Sequence, residues 1–149
     1  MTKEALEQGL EEAVGRLGVR DVRIDPNLVS SYCSLTGHDY EYYRGRNRIP
    51  TGYLMTLTAP VVSELFVSLY SAFSRHIQGI IHTRSRVEIV RPLTFEPSLY
   101  HETIRVSALQ EKKGKMGRYL VADLEITVRG TDGLPSAVDL HQFFLRVRE

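Results

Sequence analysis

Cysteine is nearly absent from this chain. Cys33 is the single one among 149 residues, so no intramolecular disulfide can form and a secreted, disulfide-stapled scaffold is excluded. Net charge is nearly absent too: 19 Lys and Arg stand against 18 Asp and Glu, a formal +1 at pH 7. Such a balance argues against bulk electrostatic capture of nucleic acid or of an anionic membrane surface. An uninterrupted apolar run is also missing. The longest apolar region, 53–73, holds Thr56, Thr58, Pro60, Ser63 and Glu64, so no membrane span is predicted. No pair among His38, His76, His82, His101 and His141 has helical metal-ligand spacing. With one cysteine besides, neither a metal centre nor a cofactor is predicted. There is no glycine-rich phosphate loop and no nucleophile elbow. Met1-Thr2-Lys3-Glu4-Ala5 lacks the apolar core of a signal peptide, which predicts a cytoplasmic protein.

What is present suits one globular domain: 42% hydrophobic and 25% charged residues, with no internal repeat. Ala5, Leu6, Leu10, Ala13, Val14 and Leu17 recur at helical spacing, and Gly18 is a stop. Val19, Val22 and Ile24 predict a short extended piece. Asp25-Pro26 reads as an N-cap carboxylate followed by proline at the first helical position, and Gly37 ends that helix. Cys33, on its apolar side, is predicted to be a small core residue. A stronger helical pattern joins Val62, Leu65, Phe66, Leu69, Tyr70 and Phe73, extended backwards by Leu54, Met55 and Leu57. Pro60 is a kink or a second start. So many large apolar side chains predict a helix buried on most of its circumference.

After Gly79 the period changes to two. Alternation places His82, Arg84 and Arg86 together on one solvated strand face. A break at 91–98, a polar hairpin turn at 111–115, a clean strand over 120–129 and a turn at 131–133 follow. The last strand changes phase near His141, so a bulge or burial on both faces is expected there. The predicted layout is one α+β domain over 1–149. It has an N-terminal helix over 1–18, a helix over 25–37, a site loop over 38–51 and a central helix over 52–75. Antiparallel strands over 80–148 form a meander of four.

Polar chemistry concentrates where two helices end. Residues 38–51 hold His38, Asp39, Glu41, three tyrosines (Tyr40, Tyr42, Tyr43) and three arginines (Arg44, Arg46, Arg48). His38 and Asp39 read either as an acid/base pair or as a solvated polar loop, with Glu41 a second carboxylate candidate. The tyrosines interleaved with arginines fit a nucleic-acid surface, a phosphate clamp, or tyrosines packed at a dimer seam. The near-zero charge disfavours nucleic acid. Gly52, opening the central helix, either offers a backbone N–H to a carbonyl or simply starts a helix.

A buried central helix laid against a curled antiparallel sheet is the hot-dog arrangement. The residues also resemble the MaoC-like (R)-specific enoyl hydratases and 3-hydroxyacyl dehydratases. Asn27 to Gly37 is similar to the helix before that family's Gly-Asp-x-Asn-Pro-x-His motif. Ile49-Pro50-Thr51-Gly52-Tyr53-Leu54-Met55 is similar to its Ala-His-Gly-Met-Leu start of the central helix. Val90-Arg91-Pro92-Leu93 with Leu99 resembles its Arg-Pro-Val turn, and Thr131-Asp132-Gly133 its last hairpin. The motif residues themselves differ. In direct register His38 replaces the catalytic aspartate and Tyr43 the catalytic histidine; a slip of one restores Asp39 but puts Arg44 at the histidine.

The resemblance implies a hydro-lyase acting on 3-hydroxyacyl or enoyl groups carried by coenzyme A (acyl-CoA) or acyl carrier protein, with a remodelled site. Asp39, His38 and Tyr43 would be its catalytic residues. Gly52, Thr51, Tyr40, Leu54 and Met55 would bind substrate, with an apolar tunnel beside Leu54, Met55 and Leu57. The alternatives are a thioesterase, in which Asp39 or Glu41 with Gly52 suffices, and a non-catalytic acyl-binding or partner subunit. A homodimer or larger even oligomer is expected, because one such sheet leaves an edge uncovered.

Overall fold

The computed structural model describes residues 2–115 and 117–148. Helix α1 (Lys3–Leu17) starts where the Thr2 side chain accepts the Ala5 N–H at 3.2 Å, and ends at Gly18, φ 58°. Its apolar row Leu6, Leu10, Ala13 is buried. Strand β1 (Val19–Arg23) follows, then α2 (Pro26–Thr36), capped by Asp25 and closed by Gly37 in the left-handed region at φ 73°, as the Asp-Pro and Gly signals predict.

Residues 38–51 are not all loop. Asp39 caps a short helix α3 (Tyr40–Gly45) by accepting the Tyr42 N–H at 3.2 Å. A 3₁₀ turn (Thr51–Tyr53) then leads into α4 (Leu54–Phe73), which runs through Pro60. Pro60 and Thr56 are both exposed, so the Thr56 carbonyl freed by the missing N–H faces water. The helical run 51–73 is long and apolar enough to cross a membrane by length and composition alone. In this fold its buried residues, among them Leu54, Leu57, Val61, Leu65 and Leu69, pack into the core. Burial on most of the circumference does not occur. One face is covered, while Met55, Val67 and Tyr70 on the other are 45%, 67% and 46% exposed, because a single curled sheet covers only one side.

The strands are β2 (Ile77–Ile89), β3 (Leu99–Gly114), β4 (Gly117–Gly130) and β5 (Pro135–Val147). With β1 they form one antiparallel sheet of order β1-β3-β4-β5-β2. Only β3-β4-β5 is a meander. The chain crosses from β2 at one edge to β3, next to β1 at the other. The expected turn at 111–115 is displaced: Glu111, Lys112 and Lys113 still pair, with Leu120, Tyr119 and Arg118.

The phase change near His141 has its cause in the neighbouring strand. β5 alternates regularly, with Ala137, Asp139, His141, Phe143 and Leu145 buried. The register slips in β2, between His82 and Arg84. His82 therefore pairs with buried Phe143 and shares its face, whereas Arg84 and Arg86 pair with Gln142 and Leu140 on the other face. The three do not line one face as simple alternation predicts, since a bulge reverses every side chain beyond it.

Candidate active site

The left-handed turn at Gly37 folds the chain back over the end of α2, with the His38 N–H donating to the Cys33 carbonyl at 2.9 Å. Thr36 then fixes the His38 ring. Its hydroxyl lies 2.7 Å from the Tyr32 carbonyl and 2.7 Å from His38 Nδ1. A carbonyl can only accept, so the single hydroxyl proton goes to it, and the Thr36 oxygen must receive the Nδ1–H of His38. Neutral His38 thus keeps Nε2 as a bare lone pair, the form a general base needs.

The ring sits between two phenols. Its centroid is 5.9 Å from that of Tyr32 and 5.7 Å from that of Tyr43. Tyr32 is set edge-on against buried Tyr53 at 5.6 Å, and its hydroxyl rests against Gly52, where an added Cβ would run into it. Gly52 N–H lies at the N-terminal end of the α4 run and has no acceptor among the described residues. One imidazole, one phenol and one open N–H thus come together at a helix N-terminus, where the dipole favours developing negative charge.

The remaining candidates are placed as follows. Asp39 is exposed, with one oxygen engaged in the α3 cap. Glu41, in the first turn of α3, is also exposed. Tyr40 packs edge-on against Phe95 at 5.9 Å. Tyr43 and Thr51 line a cleft of about 170 Å³ with Arg48, Ile89 and Leu93. Leu54 is fully buried and Leu57 nearly so; Met55 is exposed. Tyr42, Tyr43, Arg46 and Arg48 border an open hollow of about 500 Å³, where the Arg46 guanidinium stacks 3.8 Å over Tyr42. Arg44 lies over Phe95 at 4.7 Å. The segment is locked from outside: Asn47 exchanges side-chain bonds with the backbone of Glu96, and Ile49 N–H donates to Leu93. Cys33 is buried, and burial followed by the Asp39 charge pushes its thiol up.

Two residues at this site escape the sequence reading, Tyr32 and Thr36. The available signal was their spacing of four on one helix face, with a threonine in the last turn, where its hydroxyl bonds back to the i−4 carbonyl.

No protein-family profile and no curated protein matches the chain. Solved structures do. HtdX of Mycobacterium tuberculosis aligns at 24% identity and TM-score 0.57 over 87% of this chain, which spans about half (51%) of that protein. The ChsH1-ChsH2 complex of M. tuberculosis aligns at 9% identity and TM-score 0.69, covering 95% of each chain. The HadBC (3R)-hydroxyacyl-ACP dehydratase complex of the same organism aligns at 11% identity and TM-score 0.61, over 84% of this chain and 90% of that one. A hypothetical thioesterase of Streptococcus pneumoniae, solved with coenzyme A, aligns at 13% identity and TM-score 0.51, over 88% and 79%. The chain has the hot-dog fold: a long central helix against one five-stranded antiparallel sheet. At these identities the likeness carries the fold and nothing finer.

Proposed function

We propose that the chain processes acyl thioesters at the N-terminal end of α4, as a dehydratase or hydratase of 3-hydroxyacyl and enoyl groups. The observation that carries this reading is the Thr36-fixed His38, with Nε2 free, beside the Tyr32 hydroxyl at Gly52. The thioester carbonyl accepts from Gly52 N–H and Tyr32 O–H. His38 Nε2 removes the α-proton, and the electron pair moves onto the carbonyl oxygen as an enolate held by those two donors. The pair returns to form the double bond as the β-hydroxyl leaves, and the imidazolium proton departs with it as water. Asp39 acts through its cap on α3, which positions Tyr43 against the far side of His38. Arg46 and Arg48 at the open hollow suit the phosphates of coenzyme A or of a carrier-protein arm.

The fold's likeness to a thioesterase favours one second reading, in which the same donors hold the carbonyl while His38 activates water. The deciding experiment incubates the protein with crotonyl and 3-hydroxybutyryl thioesters while enoyl absorbance and free thiol are followed together. Enoyl change that disappears in His38→Ala is the expected result, with a smaller loss in Asp39→Asn. Thiol release alone supports the second reading. No turnover at several chain lengths would leave an acyl-binding or partner subunit.

A further inference from the structure

A small apolar cleft lies against the proposed reaction centre. Its volume is about 170 Å³, and Ile49, Ile89, Pro92 and Leu93 supply its apolar walls. Two further walls belong to the centre itself. Tyr43 has its ring 5.7 Å from that of His38, and Thr51 directly precedes Gly52. Tyr43 and Arg48 border both this cleft and the open hollow of about 500 Å³ that holds Arg46. An arginine-lined hollow, the α4 end and a narrow apolar space therefore adjoin along residues 42–52.

The walls of the cleft are tied down through the backbone. Ile89 is the last residue of β2 and pairs with Ala137 of β5. Leu93 and Ile49 are both buried, and the Ile49 N–H donates to the Leu93 carbonyl at 2.9 Å. Asn47 fastens the same segment to the Glu96 backbone through two bonds, at 2.6 and 2.9 Å. The space between these walls thus has a set size. The other route for an acyl tail runs along Leu54 and Leu57 on the inner side of α4. Both are buried in the cluster that holds Tyr53, Tyr100 and Val128, so that route is already filled by the core.

We infer that this cleft takes the acyl tail and that its size selects short chains, with Ile89 setting the limit. The inference rests on the acyl-thioester reading of the α4 end. The scale comes from packing. An apolar cavity of about 150 Å³ accepts benzene, so a space of about 170 Å³ takes about six carbons of a tail. The carbonyl carbon at Gly52 and the α-carbon before His38 stay outside it, which brings the limit to about eight carbons. Pockets for drug-sized ligands run to roughly 300–1,000 Å³, so a long fatty chain has no room here. Ile89 is the wall that sets the length because it is only half-buried, whereas Ile49 and Leu93 belong to the core.

The test titrates 2-oxoalkyl-CoA thioethers, with tails of four to twelve carbons counted from the carbonyl, by calorimetry. They keep a carbonyl and a tail but offer no thioester to hydrolyse and no double bond to hydrate, so binding is read apart from turnover. Affinity is expected to rise about fourfold per methylene up to about eight carbons and to level off beyond. Ile89→Phe should lower that limit by about three carbons, the number the larger side chain adds, and Ile89→Ala should raise it by about as many. Thermal melts verify that both variants fold. The inference is overturned if no thioether binds, if affinity climbs steadily to twelve carbons, or if both Ile89 variants keep the wild-type limit. A limit moved by Leu57→Val and not by Ile89→Phe would also overturn it, by placing the tail beneath α4. Enoyl thioesters of the same lengths are assayed for turnover in parallel. A limit that follows Ile89 with no turnover at any length upholds the cleft and removes the proposed reaction, so the two fail separately.

Discussion

Adding one methyl group at Gly52 separates the two donors proposed for the thioester carbonyl. Gly52 is not among the glycines at positive φ, so alanine fits its backbone. The new Cβ, however, occupies the place of the Tyr32 hydroxyl. Tyr32 is half-buried and its hydroxyl is the far end of a flexible side chain, so it swings away while the Gly52 N–H stays. Two small terms then compete in stability. Glycine to alanine at a compatible site contributes about 0.4–1 kcal/mol through the unfolded chain, and moving a half-buried phenol costs a comparable amount. Net stability should stay within about 1 kcal/mol of wild type. Turnover is a different matter. Loss of one oxyanion donor lowers kcat ~100- to 1000-fold, about 3–4 kcal/mol in the barrier. KM for the crotonyl thioester should change far less, because the donor acts most strongly on the enolate. Tyr32→Phe removes the same hydroxyl without the clash and should lose a similar factor. Since both changes delete one interaction, the double variant should be little worse than either, a coupling of about 3 kcal/mol in a double-mutant cycle. Additive losses, a Gly52→Ala kcat within threefold of wild type, or a collapse of the urea midpoint would each refute the reasoning.

Buried Glu102 is expected to make the protein less stable as pH rises. Burial, opposed by Arg20 3.6 Å away, lifts its carboxyl from 4.5 to about 7. The folded state therefore holds the proton more tightly, and stability is lost between roughly pH 4.5 and 7. Glu102→Gln should flatten that slope and gain up to ~3 kcal/mol at pH 8 in urea melts; an unchanged slope would sink the idea. Asp132 works in the opposite sense. The Arg91 guanidinium, bonding both carboxylate oxygens, holds it at about 2 against a usual 3.8, so its contribution is present above pH 3.8 and fades as pH falls through 2. Asp132→Asn should melt lower at pH 7, and the gap from wild type should close toward pH 2; a constant gap contradicts this. Finally, β2 is an open edge with Ile81 58% exposed, and α4 leaves Val67 and Tyr70 uncovered. Light scattering should show a dimer or larger even oligomer that Ile81→Lys weakens, and a stable 17 kDa wild-type monomer at micromolar concentration counts against it.

What could be read from the sequence was set by neighbours in the chain. Asp25-Pro26 and Gly37 bracket α2 because each residue does one local job there. The alternation over 120–129 marks β4 because both its neighbours are strands and its inner face is core. The strand order was not legible, since a period of two records which way a side chain points but not which strand lies beside it. Helix α3 was hidden for another reason: Tyr40-Glu41-Tyr42-Tyr43-Arg44-Gly45 has little helical pattern, and it forms under the Asp39 cap while Tyr40 packs on Phe95. The candidate site shows the same division. His38, Tyr43 and Gly52 stand out by residue type, but Thr36, which decides the His38 tautomer, matters only once Gly37 has turned the chain back. His82 is the sharpest case. Counting by twos from Arg84 and Arg86 puts it on their face, and a single extra residue in β2 puts it on the opposite one, against Phe143 and His141. A bulge changes the sign of the reading for every residue beyond it. Periodicity is therefore least reliable beside a bulge, where residues on its two sides keep the same count but not the same face.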